Sequence, residues 1–140
     1  MANELYEAVK RVQVIVRDVP GIKLAPEDPT ESASEFPFAF TYLSSEERMS
    51  DSYGAVRSDA TLVCDVVIPR TNLAVNLQTL MPYADSIQNA LYKDWIDNQW
   101  GSTITELKKT RCKLVNLDIA KQQMIGLRFE IDVKIRDTIT

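Results

Sequence analysis

Histidine is absent from this chain, and glycine is scarce. The 140 residues contain no histidine and four glycines. The missing histidine removes the commonest general base and the commonest metal ligand, and it excludes Ser-His and Cys-His triads. The few glycines leave little room for a glycine-rich phosphate loop, and neither that motif nor a GxSxG nucleophile elbow occurs. We therefore expect a protein that is not an enzyme and that holds no metal or cofactor.

The chain also lacks an excess of basic residues and a long apolar run. Its 16 basic and 20 acidic side chains give a net charge of −4, whereas proteins that grip the phosphate backbone usually carry a basic patch. No apolar run approaches the ~20 residues of a membrane span, and residues 1–10 lack the apolar core of a secretory segment. Cys64 and Cys112 lie in apolar-patterned runs without CxxC spacing, so we expect buried free thiols in a reducing compartment.

The clearest pattern that is present is an alternation near the C-terminal end of the sequence. Apolar residues occupy the odd positions, namely Ile125, Leu127, Phe129, Ile131, Val133 and Ile135. Between them lie Gly126, Arg128, Glu130, Asp132 and Lys134. A period of two predicts a β-strand with one apolar and one charged face. It is about twice as long as an average strand of roughly 5–6 residues.

Two segments have helical periodicity. Residues 3–17 place apolar side chains at spacings of three and four, with Asn3 as a candidate cap. A second helical pattern begins near Asn72, passes through Pro82 and stops at Gly101. Because proline removes a helical hydrogen bond, we expect either a kink or two short helices in series.

Five further segments complete the pattern. Residues 36–42 (FPFAFTY) and 60–69 read as strands, and the polar residues 43–58 between them read as a long charged loop. Residues 103–109 fit either a helix or a strand. Residues 110–119 are strand-like but change frame, which predicts a β-bulge near Leu114–Val115.

The order is therefore α-β-β-α-β-β in a single domain over residues 1–140. This order predicts the α+β class, with an antiparallel or mixed sheet of about four main strands covered on one face by helices.

Two surfaces are candidates for subunit or partner contacts. The charged loop supplies Glu46, Glu47, Arg48, Tyr53 and Arg57, and the last strand supplies Arg128, Glu130, Asp132 and Lys134. Mixed charges on a flat ladder form either a solvated face or an intersubunit surface whose register is fixed by ion pairs.

The aromatic residues near the end of the second helical pattern are a further candidate. These residues either cover the edge of the core or act as interface anchors; they are Tyr92, Trp95 and Trp100. Trp100 lies off the helical stripe, so we expect it to be the more exposed tryptophan. Glu27, Asp28, Glu31 and Glu35 form either a solvated acidic connector or, less naturally, a cation site.

Four features together resemble the tail terminator proteins of long-tailed bacteriophages. They are the aromatic strand FPFAFTY after a proline, the charged stretch SSEER, the segment ATLVCDVVIPRTNLAVNLQTLMPYADSIQNAL, and the closing hairpin that ends in GLRFEIDVKI. The likeness covers roughly residues 35–136 and is one of pattern and order.

The resemblance implies a structural virion protein at the head–tail junction, assembled in the host cytoplasm. Such proteins form a hexameric ring that caps the tail tube, ends its growth and offers a docking surface to the head. The implied partners are further copies of the chain, the tail tube protein and a head-completion or neck protein. DNA would pass through the lumen without specific binding, and no membrane is involved.

Two alternatives stay open at this point. One is another head–tail connector role, such as head closure, and the other is a non-viral protein-binding module. An enzyme is the least favoured class, and a ligand-sized pocket lined by ionisable groups would be the sign of one.

Overall fold

The computed structural model describes residues 4–23, 25, 36–52, 55–98, 100, 104–119 and 121–138. They form α1 (Glu4–Arg17), β1 (Phe38–Ser52), β2 (Ala55–Pro69), α2 (Leu73–Asn98), β3 (Ile104–Ile119) and β4 (Gln122–Thr138). The four strands make one antiparallel sheet in the order β1-β2-β4-β3, and both helices pack against it. The predicted α+β class and the order α-β-β-α-β-β are confirmed.

The main core lies between the helices and one face of the sheet, called here the helix face. The odd positions of β4 from Ile125 to Ile135 are at most 4% exposed and belong to this core. Leu62, Cys64 and Val66 of β2 join them, together with Leu80, Ile87 and Leu91 of α2. The alternation in β4 therefore predicted correctly which of its side chains are buried.

Residues 43–58 are not a long loop, so that prediction was wrong. β1 continues to Ser52 and β2 begins at Ala55, and the two strands pair up to Ser52 and Ala55 with irregularities at Leu43/Ser45 and Ser50/Ser52. β1 is an edge strand, where polar side chains can face water on both sides of the sheet. Polar composition alone therefore did not distinguish an edge hairpin from a loop.

The predicted bulge near Leu114–Val115 is also absent. β3 pairs with β4 without interruption from Lys109 to Ile119, and its irregularities lie at Ile104/Glu106 and Leu107/Lys109. The frame change has another cause, since Leu117 and Ile119 pack on the opposite face of the sheet, around a second small cluster of Phe38, Val67 and Met124. The segment that fitted either helix or strand belongs to β3 from Ile104 onward.

The helices are fixed by specific polar contacts. α1 ends at Arg17, as predicted, and its buried Gln13 donates a hydrogen bond to the Ala39 carbonyl at 2.9 Å and accepts one from Thr41 at 2.7 Å. α2 is one 26-residue helix with Pro82 inside it, and Asn72 caps its start by accepting a hydrogen bond from the Val75 amide at 3.2 Å. Neither described helix combines the length and the apolar character that crossing a membrane requires.

The two cysteines are free thiols with different access to solvent. Cys64 is fully buried and Cys112 is partly exposed on β3. Burial raises the pKa of the Cys64 thiol from 9.0 to about 12, and burial also raises the pKa of Cys112.

These thiols should react with a disulfide-exchange reagent at very different rates. The thiolate is the reactive form, so at pH 8 we expect Cys112 to be labelled in the folded protein and Cys64 only after unfolding in urea. Labelling kinetics followed by mass spectrometry test this, with Cys112→Ser as the control that should leave the folded protein unlabelled. Equal labelling rates for the two thiols would contradict the burial of Cys64.

Candidate assembly surface

The face of the sheet opposite the helices, called here the open face, has a buried ion pair at its centre. Arg128 of β4 donates to both carboxylate oxygens of Asp65 on β2, at 2.9 and 3.1 Å. The Asp65 side chain is 1% exposed and that of Arg128 is 25% exposed. Tyr42 of β1 donates a third hydrogen bond to Asp65 at 3.3 Å. These contacts tie three adjacent strands together through one carboxylate.

The ion pair also affects how its neighbours titrate. The hydrogen bond to Asp65 raises the pKa of Arg128 above its ordinary value. Burial, followed by the nearby Asp65 charge, raises the pKa of Tyr42. Both pKa shifts favour the protonated forms of Tyr42 and Arg128, which are the forms that donate to Asp65.

A second network links β3, β4 and β2 beside this ion pair. Arg111 donates to Glu130 at 2.9 Å and to Asp132 at 3.1 Å. Lys113 lies 3.0 Å from the other oxygen of Glu130, and Thr61 donates to Asp132 at 2.8 Å. The hydrogen bonds from Lys113 and then Arg111 lower the pKa of Glu130. On the open face, these basic side chains are matched to carboxylates of the same chain.

An aromatic row lies on the same face. Phe38 and Phe40 have ring centroids 5.5 Å apart, and the rings of Phe40 and Tyr42 are stacked at 6.0 Å. The phenol of Tyr42 joins this row to the Asp65–Arg128 pair. The open face therefore changes along the strands, from an apolar end that includes Phe38, Phe40, Met124 and Leu117 to the charged positions of β4 and β3.

The residues named from the sequence fall into separate places. Arg128, Glu130, Asp132 and Lys134 lie together on β4, at half-buried positions on the open face. Glu46, Glu47 and Arg48 lie on the edge strand β1, where Arg48 pairs with Glu46, and Arg57 lies opposite Met49 on β2. Tyr53 and the acidic connector residues Glu27, Asp28, Glu31 and Glu35 lie outside the described residues.

Trp100 is buried, so the prediction of an exposed tryptophan was wrong. It is 5% exposed and meets Trp95 edge to face, with ring centroids 6.0 Å apart. Its indole Nε1 is buried and has no hydrogen-bond partner among the described residues. The helical stripe did not apply to Trp100 because α2 ends at Asn98, and the ring packs into the core from beyond the helix.

Sequence reasoning missed the partners that organise the open face. Asp65, Arg111 and Lys113 carry the two ion networks, and none of them was a candidate. Asp65 did leave a signal, because it is the single charged residue within the apolar run 62–68. A charge in such a run is rarely buried without a partner.

A surface groove of about 450 Å³ lies between α1 and α2. Its lining includes ionisable side chains, among them Arg11, Asp18, Lys93, Asp94 and Asp97. Arg11 donates to both oxygens of Asp94, at 3.0 and 2.6 Å, and this contact joins the two helices. Two of the groove's charged groups thus have a structural role. Among the described residues, no three cysteine or acidic side chains cluster as metal ligands would.

No family model matches the chain, and no curated protein matches it.

Proposed function

We propose that this protein is a structural virion component that forms a ring at the end of a bacteriophage tail tube. In this role it would stop growth of the tube and offer a docking surface to the head, at the head–tail junction of the virion. The proposal rests on the sequence resemblance described above and on the character of the open face. The partners would be further copies of the chain, the tail tube protein and a head-completion protein.

The observation that supports the proposal best is the open face, which is long in the strand direction and on which basic side chains are paired with carboxylates. Strands of 15–17 residues form the sheet, and fifteen extended residues span about 50 Å. The basic side chains Arg111, Lys113 and Arg128 are held by Glu130, Asp132 and Asp65. The open face is therefore hydrated, but few of its positive charges are left unpaired to bind phosphate groups. It therefore suits a lumen through which DNA slides.

The overall charge supports the same function. A net charge of −4 disfavours tight binding to DNA through like-charge repulsion. Ring closure through heterologous contacts requires two different complementary patches on each subunit. A terminator and another head–tail connector would share these properties, and binding to the tail tube separates them.

Light scattering and negative-stain imaging of the purified protein test the proposal. We expect closed rings of one size, hexamers by the resemblance, and we expect the rings to bind the ends of tail tubes. Open filaments, or a strict monomer across protein concentration, salt and divalent cation that also fails to bind tube ends, would contradict it.

A further inference from the structure

The two outer strands of the sheet are unpaired along most of their outer sides. Among the described residues, β1 forms backbone pairs only with β2, and β3 only with β4. The first half of β1 is covered by α1 and the segment that follows it. Gln13 of α1 bonds to Ala39 and Thr41, and the Lys23 amide donates a hydrogen bond to the Pro37 carbonyl just before β1. The stretch from Leu43 to Ser50 is mostly exposed. Long unpaired edges are ready templates for pairing with another chain.

The two edges have opposite charge. On β1, Glu46 and Glu47 outnumber Arg48, which already pairs with Glu46; we call residues 43–50 the acidic edge. On β3, Lys109, Arg111 and Lys113 are all exposed, and we call residues 109–114 the basic edge. Arg111 and Lys113 also form ion pairs with carboxylates of β4, which neutralise part of their charge, so the positive charge of this edge comes mainly from Lys109. Opposite charges across a contact favour the correct pairing and disfavour each edge pairing with itself.

Each edge also has one exposed leucine on the helix face. Leu43, on the acidic edge, is 42% exposed and lies opposite Leu62 of β2. Leu114, on the basic edge, is 44% exposed and lies opposite Leu127 of β4. Both partners belong to the main core. An added strand would let these two leucines cover each other and continue that core across the contact.

Strand direction allows the two edges to meet. In the order β1-β2-β4-β3 every neighbour is antiparallel, so β1 and β3 run in opposite directions. A second copy, placed beside the first by a rotation about an axis inclined to the strands, presents its β1 antiparallel to β3 of the first. Such a contact joins two different surfaces, and repeating it gives a ring where the rotation between neighbours closes and a filament where it does not.

We infer that the basic edge of one subunit pairs with the acidic edge of the next, so that the sheet continues from subunit to subunit. This inference rests on the proposed ring and identifies its seam. We place Leu43 of one subunit opposite Leu114 of the next. Ser44 has no partner in the pairing of β1 with β2, so we leave it out of the count. Glu47 then lies opposite Arg111. Lys109 and Lys113 are then the diagonal neighbours of Glu47, and the charged side chains meet on the open face.

Cysteine cross-linking tests this register directly. In a Cys112→Ser background, Leu43→Cys with Leu114→Cys should oxidise to covalent oligomers up to the size of the ring. Within one chain these positions are separated by β2 and β4, so they lie at least about 14 Å apart at roughly 4.8 Å per strand. A disulfide needs Cα atoms within about 7 Å, so any cross-link must join two subunits. Leu43→Cys with Ile96→Cys, at another exposed position, is the matched control and should stay monomeric on denaturing gels.

A charge swap provides the second measurement. Glu47→Lys alone and Lys109→Glu alone should each weaken assembly at least tenfold at low salt, measured by analytical ultracentrifugation. The double variant should restore part of the loss, because positions 47 and 109, which are diagonal neighbours in this register, again carry opposite charges. Glu7→Lys, on the exposed side of α1, is the control for net charge and should assemble normally.

The outcomes separate this seam from the proposed function. Rings that form without a disulfide between positions 43 and 114 would overturn the seam and leave the ring in place. Cross-linked open filaments would support the seam and contradict the tail-capping ring. The absence of cross-linked oligomers at the highest soluble concentration, or a double charge variant no better than the single ones, would overturn the inference.

Discussion

Replacing Arg128 by methionine should lower the free energy of unfolding by about 3–5 kcal/mol, because removing one partner leaves a buried charge uncompensated. The carboxylate of Asp65 is 1% exposed, and Arg128 supplies two of its hydrogen bonds. Methionine keeps most of the volume of the aliphatic part of arginine, so the loss of unfolding free energy comes mainly from the missing charge. Urea unfolding at neutral pH, followed by circular dichroism, measures the effect.

Two companion variants make this result specific. Lys134→Met, on the same strand and the same face, should cost about 1 kcal/mol or less, because this half-buried side chain leaves no fully buried charge behind when it is replaced. Arg128→Met combined with Asp65→Asn should recover part of the loss, since no buried charge then remains. If Arg128→Met and Lys134→Met have equal effects, the buried pair is not the element that organises the open face.

Replacing Phe129 by alanine should be comparably destabilising, at about 3–5 kcal/mol for a buried aromatic side chain. Phe129 is 0% exposed and lies opposite Cys64 on one neighbouring strand and Cys112 on the other. Its ring fills the centre of the helix face, so truncation leaves a cavity that the surrounding strands cannot close. Urea unfolding of the purified variant measures the loss.

Leu114→Ala is the matched control for this core substitution. Leu114 is 44% exposed and lies two residues further along β3 than Cys112. Its truncation removes little buried contact within the isolated subunit, so we expect a loss within about 1 kcal/mol. A similar loss from both variants would show that the centre of the helix face is not tightly packed.

The last two strands show where periodicity in the sequence is informative. β4 lies between β2 and β3, with one face on the core and one face open. Its two environments differ sharply, so apolar and charged side chains alternate from Leu127 to Ile135 and predict both strand and face. In β3 the apolar residues change face near Leu114, and this change was wrongly interpreted as a bulge. Its cause is that Leu117 and Ile119 pack into the second apolar cluster, on the open face. A single chain segment does not reveal that a sheet has apolar clusters on both sides.

The hairpin of β1 and β2 shows where composition misleads. Residues 45–50 are polar because they lie on an edge strand, yet their backbone is paired with β2. Deleting residues 46–56 would therefore remove paired strand, and not a dispensable loop. The candidate residue Glu47 is exposed and Glu46 is partly buried, and a strand holds the two at fixed spacing. That spacing is what allows a specific register with a second copy to be proposed.

The sequence by itself determined the α+β class, the order of elements and the two faces of β4, because these depend on local periodicity. It also excluded histidine-based chemistry. Only the tertiary structure decided that Asp65 meets Arg128, that Trp100 is buried, and that the acidic and basic edges lie at opposite sides of one sheet. These features join residues far apart in the chain. Strand order and register bring them together, and no local pattern encodes either one.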